Sequence, residues 1–357
     1  MTREELEAMV RGGEPLQNLY LADADLRGID LSGAILGNVC LRGAILDGVS
    51  LRESVLDHCD FHGATMTGAR LEHVAMNHTD LGATHLEGAN ATDASLVSCS
   101  LAGAVVPNAR WTIAALVECD LAGADLGGGD LDRTSFVRCT WGRTGLTGAR
   151  LVRTVITAAD LTTSMLAGVH LDRAVLLESC LAGLDLRGLH LAGSQLNGCD
   201  LTECHLEGAH LVACGFKGAN LRGAHLEGAD LRNAVLADAD LSAANLHAAR
   251  LDQALLLDAN LTGTNLGAAA MPQAILHRAR CTGTRFAGAD LTYADLSYAD
   301  LDAADLSGAT TFRTLFHGAR GVRVAAMPGA LGDDEKLAKA ERWKPPAAMD
   351  GDRRPNP

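Results

Sequence analysis

Three His-Leu-Glu triplets, at His85–Glu87, His205–Glu207 and His225–Glu227, are the residues of this 357-residue chain best suited to chemistry. A histidine two residues before a glutamate can ligate zinc beside a general acid and base, as in zinc-dependent deamination. That chemistry also needs a Pro-Cys-x-x-Cys segment, and none follows. Ten cysteines offer disulfide or zinc chemistry, and His170, His190 and His210 recur at a spacing of 20. There is no Gly-x-Gly-x-x-Gly opening a helix, no Walker loop, no His-Glu-x-x-His and no Gly-x-Ser-x-Gly. Whether any candidate reacts depends on the elements that position it.

Those elements follow from one register. From Leu16 to Phe316 every fifth residue is Leu, Phe, Met, Ile, Val or Trp, broken only by Ala91, Cys281 and Thr311, with no insertion or deletion. Two residues earlier stands a small residue, usually Ala, with larger ones at Ile29, Leu184 and Leu189. The unit is Ala-Asp-Leu-x-Gly, seen at Ala229-Asp230-Leu231 and Ala289-Asp290-Leu291. A period of five suits neither the 3.6 of a helix nor the 2.0 of a flat strand. Two inward positions per unit therefore require a chain that turns a corner after every unit. Four corners close a square, one coil is 20 residues, and coils stack at about 4.8 Å.

The register resembles the pentapeptide-repeat family, whose fold is an all-β, right-handed quadrilateral parallel β-helix. About 15 four-sided coils are expected over residues 16–320 from a 20-residue turn. Residues 1–15 are expected to form a capping helix and lead-in: Thr2 and Glu5 have capping-box spacing, and Gly12-Gly13 would stop the helix. Residues 321–357 are expected to form a C-terminal cap, with one short helix between Asp333 and Trp343, and a polar tail from Met349 to Pro357. Nothing within the repeat resembles a linker.

Composition fits a solenoid, since Leu stacked on Leu needs few rings and aromatic content is 3%. No apolar run approaches the roughly 18 residues of a membrane span, and no signal-like N-terminus is evident, so a cytoplasmic protein without membrane contact is expected. Cys59, Cys99, Cys119, Cys139, Cys199, Cys204 and Cys214 occupy the small inward position and replace Ala as structural thiols. The His-Leu-Glu triplets are products of the repeat, and the His170/His190/His210 column reads as a polar ladder on a solvated face. With the interior filled by side chains and no cleft, no catalytic, cofactor or metal site is expected.

Function then lies outside. Large apolar residues just before the central position are Ile35, Ile45, Val55, Val105, Val155, Met165, Val175, Val235, Leu255, Ile275 and Leu315. All but Ile45, Val105 and Met165 share one face, joined there by Val97, Val117, Val137, Leu177 and Leu257. Strand propensity would treat all four faces alike, so this ribbon is expected to contact a protein partner or a second copy of the chain.

The formal net charge is −14, of which residues 1–20 carry −2 and residues 321–357 carry +1, leaving −13 on the repeat. That sign excludes a basic surface for direct nucleic-acid binding. Asp60, Asp80, Asp120, Asp160, Asp200, Asp240 and Asp300 share another face. The family resemblance implies an alternative role for them, because some members mimic DNA and bind type II topoisomerases such as gyrase, protecting them from quinolones. Many of those members carry projecting loops, which this register does not admit, and Arg70, Arg110, Arg150 and Arg250 line another face. The helix leading through Gly12-Gly13-Glu14-Pro15 into the repeats is similar to long members encoded with type VI secretion components. The reading is a non-catalytic protein-binding rod or scaffold.

Overall fold

The computed structural model describes residues 2–323 and 327–341. Trp343 and the expected tail, Met349 to Pro357, lie outside the described residues. Helix α1 (Arg3–Arg11) starts at Thr2, whose Oγ1 accepts the Glu5 N–H at 3.2 Å while its own N–H donates to Glu5 Oε2 at 2.7 Å. The helix seats Leu6 in the core, 1% exposed. Arg3 donates to the carbonyls of Arg27 and Gly28 at 2.9 and 2.8 Å, tying the lid to the first coil.

Nine short strands follow: β1 (Leu16–Gln17), β2 (Ile35–Gly37), β3 (Val55–Asp57), β4 (Ala75–Asn77), β5 (Ser95–Val97), β6 (Ala115–Val117), β7 (Ser135–Val137), β8 (Val155–Thr157) and β9 (Val175–Leu177). They pair in parallel in chain order, each residue with the one 20 later, as in Leu36↔Leu56 and Val97↔Val117. The other three sides are held by single parallel bridges at the same spacing, beginning Tyr20↔Cys40, Asp25↔Ile45 and Asp30↔Ser50. Four ladders make four sides, and the chain is a parallel β-solenoid.

The regular sheet accounts for about eight turns rather than the fifteen coils expected, because strands of more than one paired residue end at Leu177. Beyond it single bridges carry the same spacing to Asp300↔Arg320. The last rung is irregular: Leu315 pairs with Leu331, and α2 (Glu335–Glu341) begins where Asp334 Oδ1 accepts the N–H groups of Lys336 and Leu337.

The central residues are buried almost without exception, the pattern-breakers Ala91, Cys281 and Thr311 included. Each such Leu removed from water contributes about 2 kcal/mol. Threonine hydroxyls and thiols at the small inward position donate to a carbonyl of the coil below or of their own coil. Thr134 Oγ1 reaches the Trp111 carbonyl at 2.7 Å and Cys204 Sγ reaches that of Leu181 at 2.9 Å. This is why Thr and Cys can replace Ala there without leaving an orphaned polar group.

Corners are made by the residue two after the central one, which takes the left-handed conformation at every fifth position from Gly13 to Gly318, with the single exception of Thr163. A branched Cβ disfavours that conformation, yet Ile113 is held in it at φ 65°. What differs at Thr163 is its hydroxyl, which accepts the Arg143 N–H at 3.0 Å in place of the backbone carbonyl used elsewhere. Nearby, the large Leu184 and Leu189 stand at positions meant for Ala, and Leu184 is pushed to partial exposure. The bridges Thr140↔Asp160 and Met165↔Asp185 are missing from otherwise regular ladders. An opening of about 510 Å³ results, lined by Met165, Leu166, Leu184, Asp185, Arg187 and Leu189, so the interior is not free of clefts as the repeat alone implied. Thr163→Gly should raise the unfolding midpoint, whereas Gly208→Thr, at φ 63°, should lower stability by about 1–2 kcal/mol; urea titration checks both.

Candidate functional site

The apolar residues read from the repeat gather on the side that carries β1–β9. Along its first column Ile35 is 51% exposed, Val55 41% and Leu255 38%, Ile275 and Leu315 are also exposed, and Val155, Val175 and Val235 are half-buried. Where that column shrinks to Ser95, Ala115 and Ser135, the second column takes over with Val97, Val117 and Val137, paired in register. Leu177 and Leu257 continue it. The ribbon runs from Ile35 to Leu177 with one break, at Ala75 and Asn77. It stops at Gln195, Asn197, Gly215 and Lys217, where Asn197 Oδ1 accepts the Lys217 N–H, and resumes at Val235.

The acidic column lies on the next side, with Asp60, Asp80, Asp120, Asp200, Asp240 and Asp300 half-buried and Asp160 exposed. Each places Oδ1 on the N–H two residues ahead: His62, Gly82, Ala122, Thr162, Thr202, Ser242 and Asp302. The same bond recurs on the other sides, from Asp125 to Gly127 and from Asn265 to Gly267. Aspartate before the central Leu therefore pins the corner that follows, an Asx turn. Sequence reasoning took the column as surface charge and missed this role; its signal was Asn replacing Asp at the same position.

Two histidine groupings behave differently. In the His170/His190/His210 column, His190 and His210 stack at 4.6 Å, all three are exposed, and the next residue of the column, Asp230, is paired with Arg232. Among the described residues, possible metal ligands converge instead at Asp57, His58 and His78, all exposed, and at His205, Glu207 and His225, all half-buried. The repeat offered a signal for the second group, namely two His-Leu-Glu triplets 20 residues apart.

Four of the buried thiols are held protonated. Burial pushes Cys199 up to about 11, and Cys204, Cys214 and Cys281 up to about 12. All ten cysteines are free, with Cys40 and Cys180 only half-buried. No helix among the described residues is long and apolar enough to cross a membrane.

A solenoid of pentads with this core defines the class, and the family model for pentapeptide repeats matches the sequence over residues 16–82 and 179–308 in 8 copies. The chain belongs to the pentapeptide-repeat family. Among solved structures it is similar to HetL, a pentapeptide repeat protein involved in heterocyst differentiation regulation from the cyanobacterium Nostoc sp. Strain PCC 7120. That match has 22% identity over 88% of this chain and 97% of the other, with a TM-score of 0.23. It is similar also to full-length QnrB1, a plasmid-mediated fluoroquinolone resistance protein, at 17% identity over 69% and 95%, TM-score 0.18. A third is a pentapeptide repeat protein from the Arabidopsis thaliana thylakoid lumen, at 24% identity over 29% and 66%, TM-score 0.14. No curated protein matches the sequence.

Two outcomes follow from this chemistry. With native protein, a thiol reagent should modify Cys40 and Cys180 first and reach the buried cysteines only on unfolding. Side-chain hydrogen bonds from Thr162, Arg187, Arg232 and Ser307 hold Asp160, Asp185, Asp230 and Asp305 below the usual carboxylate range, Asp185 at about 2. The unfolded chain binds those protons first, so stability is full above about pH 4 and is lost as pH falls toward about 2. Melting midpoints measured across that window should decline steadily.

Proposed function

We propose that this chain is a non-catalytic protein-binding rod whose contact surface is the apolar ribbon. The observation that carries this reading is the change of columns: where Ser95, Ala115 and Ser135 leave the first column bare, Val97, Val117 and Val137 fill the second. A fold needs neither column to be apolar, because both face outward. Exposed apolar surface sustained from Val97 to Leu177 costs solubility and is best explained by a partner that covers it. The interruption at Gln195 and Gly215 divides the ribbon into two patches, which suits either a second copy of the chain or a partner with two contacts. A scaffold role, including one beside secretion machinery, is consistent with the capped, loop-free rod.

DNA mimicry at a type II topoisomerase is the second reading, favoured by the seven aspartates on one side. Against it, each of these aspartates already commits one carboxylate oxygen to its own corner, and Ser100, Thr140, Cys180, Asn220, Asn260 and Arg280 interrupt the run.

The variant V155S/V175S/V235S/L255S should lose association, seen as a fall in mass by light scattering or as loss of a partner in a native pull-down, with little change in melting. D120N/D160N/D200N/D240N should keep association, since Asn preserves the Asx turn. Unchanged association in the serine variant, or topoisomerase binding lost only in the asparagine variant, would reject the apolar contact.

A further inference from the structure

The side opposite the apolar ribbon carries a tandem that the repeat by itself explains only as coincidence. His205 and His225 are backbone partners in adjacent coils, and their rings stack at 4.8 Å with planes 7° apart. Each faces its own glutamate: His205 Nδ1 lies 3.2 Å from Glu207 Oε1, and His225 Nδ1 lies 4.0 Å from Glu227 Oε1. The ligand atoms of His205, Glu207 and His225 all fall within 4.8 Å of one another.

The second carboxylate oxygens are the telling atoms. Glu207 Oε2 and Glu227 Oε2 are both closed off from solvent and have no hydrogen-bond partner. Leaving such an oxygen buried and unpaired costs about 1–3 kcal/mol, and more when the group is charged. Coordination to a cation removes that cost. The remaining triplet supplies an internal control. His85 stands the same 3.2 Å from Glu87, but the residues above and below it are Thr65 and Val105, and Glu87 Oε2 is reached by the Thr67 hydroxyl at 3.4 Å. One triplet alone is satisfied by ordinary hydrogen bonds, whereas two in register leave oxygens that are not.

We propose that His205, Glu207 and His225, with Glu227 beside them, form a binding site for a divalent transition-metal ion of the zinc type. Two imidazoles and a carboxylate are the borderline donor set such ions favour. Ligand bonds of about 2.0–2.1 Å set tetrahedral donors about 3.3–3.4 Å apart, so a separation of 4.8 Å must close by about 1.5 Å. Small side-chain rotations achieve that. Glu227 is available for the fourth position, although its Oε1 also accepts Asn245 Nδ2. Below the site the Asp185–Arg187 ion pair, at 2.6 Å, neutralises the neighbouring coil, so an added cation meets no free positive charge there. The bound ion would bridge two coils and staple the rod just beyond the opening at Leu184. This inference is independent of the apolar contact, which lies on the opposite side.

The test is zinc and cobalt uptake by the untagged full chain. Dialysed against Zn2+ and then against metal-free buffer, the protein should retain a single equivalent and melt at a higher temperature than the metal-free form. With Co2+ it should show ligand-field bands and no thiolate charge transfer, which separates this site from the cysteines. H205A and H225A should each weaken binding by more than about tenfold, while H85A and H58A should not. Melting of the metal-free variants, whose altered side chains are half-exposed, reports folding separately. No uptake, a thiolate band, or uptake unchanged in H205A/H225A but lost in H58A would overturn the proposal.

Discussion

A left-handed backbone conformation at every fifth residue is the constraint on which the rest of this molecule depends. It makes the corner, and four corners return the chain to the rung below with its Leu over the previous Leu. Gly fills the position without penalty, but Asn18, His58, Glu118 and Arg138 fill it on the strand-bearing edge and are held there by the stack. Thr163 shows the dependence by exception. Where that one residue leaves the left-handed region, ladder bonds are lost on neighbouring sides and an opening forms beside Leu184.

A second consequence of the corner is that the outward position before the central residue is only partly free to serve recognition. Aspartate or asparagine there pins the next turn through its side-chain oxygen, so an acidic column arises from folding alone. Residues that cannot make this bond, such as Ile35, Val155 and Leu255, give up a turn-stabilising contact. Their concentration on one side therefore says more about binding than an equal number of aspartates does. The same logic separates His85 from His205 and His225, since the lone triplet is completed by a hydroxyl of the adjacent coil and the stacked pair is not.

The ends of the rod solve a different problem, exposed ladder groups and an open core. At the start, Leu6 plugs the first coil and Arg3 binds two carbonyls of its edge. At the other end the repeat gives way to an irregular rung through Leu331, and Asp333 accepts the Gly318 N–H at 2.9 Å. Interior rungs are stabilised from both sides and terminal rungs from one, which is why caps are needed.

By itself the sequence determined the period, the 20-residue coil, the inward Leu and Ala columns and the side on which each outward residue stands. These follow from an uninterrupted count of five, because a solenoid is set by contacts with the next coil alone. The apolar ribbon and the acidic column were legible for the same reason. Only the tertiary structure decided how far the regular sheet extends, that Thr163 and Leu184 open the stack, and that Glu207 and Glu227 bury an oxygen without a partner while Glu87 does not. Those outcomes turn on differences of an ångström or a single hydroxyl between coils, and a repeat motif averages such differences away.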